Sequence, residues 1–241
     1  MRMAGLDWRR GHDYGRTMST AEEIICQVKN WEQLRQRQAR ETLRTVFLAD
    51  DRYIVKKFEI PAGINKYRRP WIQEHEALSI SPPECVPSSL GYVEQVEHNK
   101  RIVYLVKDYV PGKVCDRFED GDMAEAGSLL ARLHQHGIIT DDANVHNFLK
   151  KDNGQMIFID MGRARIYPCR SLPILIQIGR ELAKFKREGI CWNKNQWQEF
   201  LYHYFAHYSC SRLHRILILN SCACSNTMRY CRKSLRGKHP K

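Results

Sequence analysis

The spacing of apolar and polar positions divides the chain into two territories. In the first, short runs at 23–28, 42–48 and 52–58 read as strands, the last two joined by a turn at Ala49-Asp50-Asp51. A helix is predicted at 71–80, with Glu74 and Leu78 one turn apart, and Pro82-Pro83 stops it. Strands follow at 89–94 and 101–109, and Pro111-Gly112 then breaks the pattern. From there the period lengthens. Met123, Ala126, Leu129, Leu130 and Leu133 recur at helical spacing behind Asp122, the predicted N-cap, and Gly137 closes that helix. Lys151-Asp152-Asn153-Gly154 turns a hairpin between 148–150 and 156–160, and aromatic-rich helices are expected at 172–188 and 195–208. No internal repeat is present. The pattern predicts an α+β chain with a small antiparallel sheet followed by a mainly helical part. Its expected divisions are an N-terminal extension at 1–22, a first lobe at 23–110, a second at 111–208 and a basic, cysteine-containing tail at 209–241.

One strand position breaks the rule. Period two places Ile54, Lys56 and Phe58 on one face, which puts an ammonium group among apolar neighbours and calls for a partner. Composition adds bounds. With 241 residues, 43% of them hydrophobic, the chain can build a core rather than remain disordered. It contains no apolar run of membrane-spanning length and no apolar stretch of a secretory signal, so a cytoplasmic location is expected. Nine scattered cysteines predict reduced thiols, and Cys222-Ala223-Cys224 with Cys231 does not match a zinc spacing.

The formal charge of +12 is uneven. No acidic residue follows Glu199, while Arg212, Arg215, Arg229, Arg232, Lys233, Arg236, Lys238 and Lys241 lie beyond it. Such a segment favours a polyanion, whether nucleic acid, an anionic membrane leaflet or a phosphorylated glycolipid. A solvated terminus is the plainer reading. Leu213, Ile216, Leu217, Ile218 and Leu219 interleave with the bases and are also compatible with an interfacial helix.

Two strings carry the candidate chemistry: Asp142-Ala143-Asn144-Val145-His146-Asn147 and Ile159-Asp160-Met161-Gly162. Asp142 can orient and deprotonate an acceptor hydroxyl, while Asn147 and Asp160 offer the hard oxygens that magnesium prefers. Lys56 can reach nucleotide phosphates, and Glu74 can hold it. Taken singly these residues are unspecific; their order, strand lysine, helix glutamate, Asp108 to Gly112, a helix and then the two strings, is that of a two-lobed protein-kinase-like fold. His146 is read as a loop histidine satisfied by backbone carbonyls. Trp192, Trp197, Phe200, Tyr202, Tyr204, Phe205 and Tyr208 are read as core rather than as a sugar platform.

The stretch from Leu133-His134 through Ile166 resembles the lipopolysaccharide kinases of the Kdo/WaaP family, most closely the core heptose kinases, and the resemblance covers about residues 23–205. It implies that Asp142 is the catalytic base, that Asn147 and Asp160 hold Mg2+, that Lys56 contacts ATP and that Glu74 anchors Lys56. The backbone around Asp108 to Val110 would meet adenine. It also implies an inner-core glycolipid acceptor (heptose or Kdo) and work at the inner face of the inner membrane, where the basic tail meets the anionic surface; no specific nucleic acid is expected. The chain departs from the kinase pattern at Thr140, where a histidine is usual, at Asp141, a second carboxylate beside Asp142, and at 32–51, which holds no glycine for a phosphate loop. A small atypical Ser/Thr/Tyr protein kinase and a pseudokinase binding module are the alternatives.

Overall fold

The computed structural model describes residues 19–39, 42–61, 69–97, 99–119, 121–167, 171–188 and 193–236. Residues 1–18, the bases Lys66 and Arg68, Trp192, Lys238 and Lys241 lie outside the described residues. The chain divides into two units, Met1–His75 with Ser88–Val110, and Glu76–Pro87 with Pro111–Lys241. No helix among the described residues is long and apolar enough to cross a membrane.

The first unit contains α1 (Thr20–Gln27), β1 (Trp31–Ala39), β2 (Thr42–Ala49), β3 (Tyr53–Pro61), the start of α2 (Pro70–Ile80), β4 (Ser89–Glu97) and β5 (Lys100–Asp108). Its five strands form one antiparallel sheet in the order β1-β2-β3-β5-β4. Alternation gives the sheet two apolar faces. Phe47, Ala49, Val55, Tyr104 and Val106 pack with Ala21 and Ile25 of α1, whereas Phe58, Ile60, Val103 and Leu105 pack with Trp71 of α2.

Two local expectations fail here for identifiable reasons. Residues 23–28, read as a strand from the β-branched pair Ile24-Ile25, form most of α1. Ser19 Oγ accepts from the Glu22 N–H at 3.3 Å and Glu22 Oε2 accepts from the Ser19 N–H at 2.8 Å, a reciprocal cap that starts the helix. Burial of Ala21 and Ile25, one turn apart, then outweighs strand propensity. Strand β1 was not foreseen because residues 32–38 are exposed and, Leu34 apart, polar. It is an edge strand held by its ladder to β2 and by Trp31, whose ring meets Phe47 edge-on at 5.5 Å.

The second unit carries the end of α2, β6 (Lys113–Val114), α3 (Asp122–Gln135), β7 (Ile138–Ile139), a 3-10 turn (Val145–Asn147), β8 (Phe148–Lys150), β9 (Met156–Phe158), β10 (Arg165–Ile166), α4 (Leu172–Glu188), α5 (Lys194–His207) and α6 (Arg212–Arg236). Leu129, Leu130 and Leu133 share its core with Phe148, Phe158, Phe185, Phe200 and Tyr204, each fully buried side chain stabilising by about 1.5–3 kcal/mol. Asp122 is not the N-cap of α3. Gly121 takes that position with φ 85°, and Asp122, the first helical residue, accepts from the Glu119 N–H at 2.9 Å and from Lys150 Nζ at 2.7 Å. Gly112, with φ 152°, explains the break at Pro111-Gly112: a Cβ there would lie 2.6 Å from the Lys150 carbonyl oxygen.

The basic segment is helical from Arg212 to Arg236, and Ile218 and Cys222 are buried beside α4. The crossing depends on Gly179. A Cβ at that position would sit 2.5 Å from the Ile218 carbonyl oxygen and 2.9 Å from the Cys222 nitrogen, both backbone atoms that cannot step aside. Gly179→Ala is therefore expected to lower stability by about 1–3 kcal/mol, read as a lower thermal unfolding midpoint; an unchanged midpoint would contradict the close crossing.

Candidate active site

The first unit holds a buried ionic cluster. Lys56, on the β3 face that meets α2, is 3% exposed, and its Nζ lies 2.5 Å from Glu74 Oε1 and 2.7 Å from Oε2. Glu74 is fully buried. The structure adds a lysine that the sequence reading passed over: Lys107 Nζ donates to the same Glu74 Oε1 at 3.0 Å. Register explains the convergence. Lys56 faces Leu105 and Ile54 faces Lys107 across the β3–β5 ladder, so both lysines emerge on one face, diagonal to each other. The signal in the sequence was a lysine directly after the apolar run Ile102 to Val106, in a strand that continues to Asp108. The other two nucleotide-site expectations lie just after it. The Asp108 N–H donates to Ser88 O at 3.0 Å and the Tyr109 N–H to Arg52 O at 2.8 Å. Those two donors are occupied, and among the described residues the Val110 N–H makes no backbone hydrogen bond.

The second unit holds the two acidic strings. Asp142 offers its backbone carbonyl to three donors, Asn144 N at 2.7 Å, Asn144 Nδ2 at 3.3 Å and Asn147 Nδ2 at 2.7 Å, and this closes the loop into a tight turn. The Ile159 N–H donates to Asn147 O at 2.9 Å, extending the β8–β9 ladder so that Asn147 and the segment entering Asp160 run side by side. Asp160 Oδ1 accepts from the Gly162 N–H at 3.2 Å. With its amide nitrogen committed to Asp142, Asn147 keeps the hard side-chain oxygen Oδ1 as an acceptor. Among the described residues no cluster of three or more His, Cys, Asp or Glu side chains forms a metal cage. One amide oxygen and one carboxylate are the sparse donor set that suits magnesium, which keeps water and phosphate oxygens in its shell.

The adjacent carboxylates separate completely. Asp141 has φ 59°, a left-handed conformation that aspartate tolerates, and Arg165 Nη2 holds its Oδ1 at 2.7 Å. Asp142 Oδ1 meets Lys184 Nζ at 2.9 Å and Arg163 Nη1 at 3.6 Å. His146 Nδ1 lies 3.3 Å from the Cys115 carbonyl oxygen.

Thr140 supports the loop in a way its residue type alone did not reveal. Its hydroxyl donates to Glu181 Oε1 and its N–H to Oε2 at 3.2 Å, while Asp142 N donates back to Thr140 Oγ1 at 3.4 Å. Glu181 is 3% exposed and also meets His134 Nε2 at 2.9 Å; His134 Nδ1 meets the Tyr204 hydroxyl at 2.8 Å. Burial pushes that phenol well above its usual range, so it stays protonated beside the His134 ring. Hydrogen bonds to a carboxylate are worth about 1.5–3 kcal/mol each, and this chain of them ties the loop to α3, α4 and α5. Glu181 was legible in principle: Ile174, Ile178, Glu181 and Phe185 share one helical stripe, on which a carboxylate is out of place. Of the aromatic set, Phe200, Tyr204 and Tyr208 are buried and Tyr202 is exposed.

These elements in this order make an α+β chain, with an antiparallel five-stranded first unit and a mainly helical second. No family model and no curated protein matches the chain. Solved structures similar to it include a crystal structure of WbdD, 18% identical, covering 81% of this chain and 50% of that one, with a TM-score of 0.46. WbdD in complex with a kinase inhibitor is 15% identical over 79% of this chain and 49% of its own, with a TM-score of 0.43. A third structure, described as the bifunctional kinase-methyltransferase WbdD, is 16% identical over 75% and 47%, also with a TM-score of 0.43. The chain spans about half the length of these structures.

Proposed function

We propose that this protein is an ATP-dependent phosphotransferase that phosphorylates a sugar hydroxyl, of heptose or Kdo, in the inner core of lipopolysaccharide. The observation that carries the reading is the coupling of the two acidic strings: Asn147 Nδ2 on the Asp142 carbonyl at 2.7 Å and Ile159 N on the Asn147 carbonyl at 2.9 Å. A base and two oxygen ligands are thus held in one turn and one ladder.

In this reading Asp142 takes the acceptor proton while the hydroxyl oxygen bonds to the γ-phosphorus and the bond to the leaving nucleoside diphosphate breaks. Asn147 and Asp160 would hold Mg2+, whose chemistry when bound is to neutralise charge on the phosphates. Lys56, fixed by Glu74, supplies a cation for the nucleotide, and the backbone at Asp108 to Val110 meets the base. With no glycine between residues 32 and 51, these groups carry more of the phosphate binding than a glycine loop would. The acceptor class and an inner-membrane location rest on the family resemblance and on α6, which follows the last acidic residue and opens with Arg212 and Arg215.

The test is direct. Incubation with Mg-ATP and an inner-core lipopolysaccharide acceptor is expected to add one phosphate to the glycolipid by mass spectrometry. An unchanged acceptor alongside labelled Ser, Thr or Tyr on protein would replace the substrate class, and absence of any transfer would overturn the reading.

A further inference from the structure

We infer that Lys184 is a positioning residue for the proposed base, holding Asp142 by Oδ1 so that Oδ2 faces the acceptor hydroxyl. The inference rests on the phosphotransferase reading above and assigns a role to a residue of α4, remote in sequence from both acidic strings.

Three observations meet at this residue. Lys184 Nζ lies 2.9 Å from Asp142 Oδ1 and 3.0 Å from the Asp141 carbonyl oxygen, so a side-chain and a backbone acceptor fix the ammonium group. Among the described residues the Asp142 carboxylate is met at Oδ1, by a hydrogen bond from Lys184 and an ion pair with Arg163, and by no hydrogen bond at Oδ2. Arg163, the other cation at Oδ1, stands farther off at 3.6 Å with its side chain 64% exposed, against 24% for Lys184. An ordinary surface ion pair has one contact between two solvated groups and contributes little. Lys184 has a second anchor and partial burial.

The helix explains why the contact is reproducible. Glu181 and Lys184 are three residues apart on α4, on neighbouring turns of one face. Glu181 holds Thr140 by both its N–H and its hydroxyl, and Lys184 holds the next two residues. The loop from 140 to 142 is thus gripped at both ends by one rigid element. Asp141, turned through φ 59° toward Arg165, leaves Asp142 as the carboxylate that Lys184 receives. During transfer Lys184 keeps its proton and its bond to Oδ1, while the acceptor proton passes to Oδ2.

The decisive experiment is a double-mutant cycle with Mg-ATP and the inner-core lipopolysaccharide acceptor. Lys184→Met is expected to lower kcat about 10- to 100-fold, the scale of a slightly misplaced catalytic group, with the KM for ATP and calorimetric ATP binding unchanged. Lys184→Gln, which keeps the hydrogen-bonding tip without the charge, should lose activity likewise, and Lys184→Arg should recover most of it. In an Asp142→Ala background Lys184→Met should cost nothing more, because a residue that acts through Asp142 has nothing left to position. Undiminished kcat in both truncations, or a loss that adds in full to that of Asp142→Ala, would overturn the inference alone. Full activity of Asp142→Ala, or no transfer by the unaltered protein, would instead overturn the phosphotransferase reading and this inference with it.

Discussion

Asp142→Ala is expected to reduce phosphate transfer by about 10²- to 10⁴-fold, the range for loss of a general base, while the unfolding midpoint stays where it was. The structure separates the two effects. What closes the loop is the backbone carbonyl of residue 142, which alanine retains together with its bonds to Asn144 and Asn147. What alanine removes is a carboxylate whose side chain is 27% exposed and whose partners, Lys184 and Arg163, reach solvent themselves. Steady-state kinetics and thermal unfolding on one preparation check both halves. A variant that unfolds early would show that the ion pair with Lys184 is structural, and one that transfers at the full rate would remove Asp142 from the chemistry.

The largest loss of stability is expected from Glu74→Ala. Its carboxylate serves two ammonium groups, each 3% exposed, and removing one partner from a buried ionic cluster costs about 3–5 kcal/mol because the remaining charge stays desolvated. Glu74→Gln keeps the shape but not the charge, and it too should be destabilised. Urea unfolding gives the measurement, and a change below about 1 kcal/mol for the alanine variant would mean that the cluster is worth no more than a surface pair. In the proposed function the same variant also weakens ATP binding, since Lys56 loses the carboxylate that holds it.

The sequence was most readable where a local rule and the tertiary environment agree. Helical spacing marked α3, because the apolar residues on its buried face must recur with the backbone period, and β3 and β5 stood out as short apolar runs because central strands of this sheet are covered on both faces. Lys56 was conspicuous for the same reason, as a charge on an apolar stripe. The failures are equally local. Residues 23–28 were read as a strand and the Ser19-x-x-Glu22 cap that starts α1 went unread, and β1 was missed because an exposed edge strand needs no apolar face. α6 could not be settled from its composition, since its basic residues suit solvent or a polyanion equally; Gly179 beneath Ile218 and Cys222 decided its packing.

For the candidate site, the spacing from Asp142 to Asn147 and on to Asp160 was legible because it is set by one turn and one hairpin, structures of short range. The sequence by itself therefore determined the α+β class, most elements from β2 onward and the residue types available for chemistry. Only the tertiary structure showed that Lys107 joins Lys56 on Glu74, that Thr140 rests on Glu181 and that Lys184 holds Asp142. Those partners lie 33, 41 and 42 residues apart. No local periodicity links positions at such separations; strand register and helix packing bring them together, and these are properties of the folded chain as a whole.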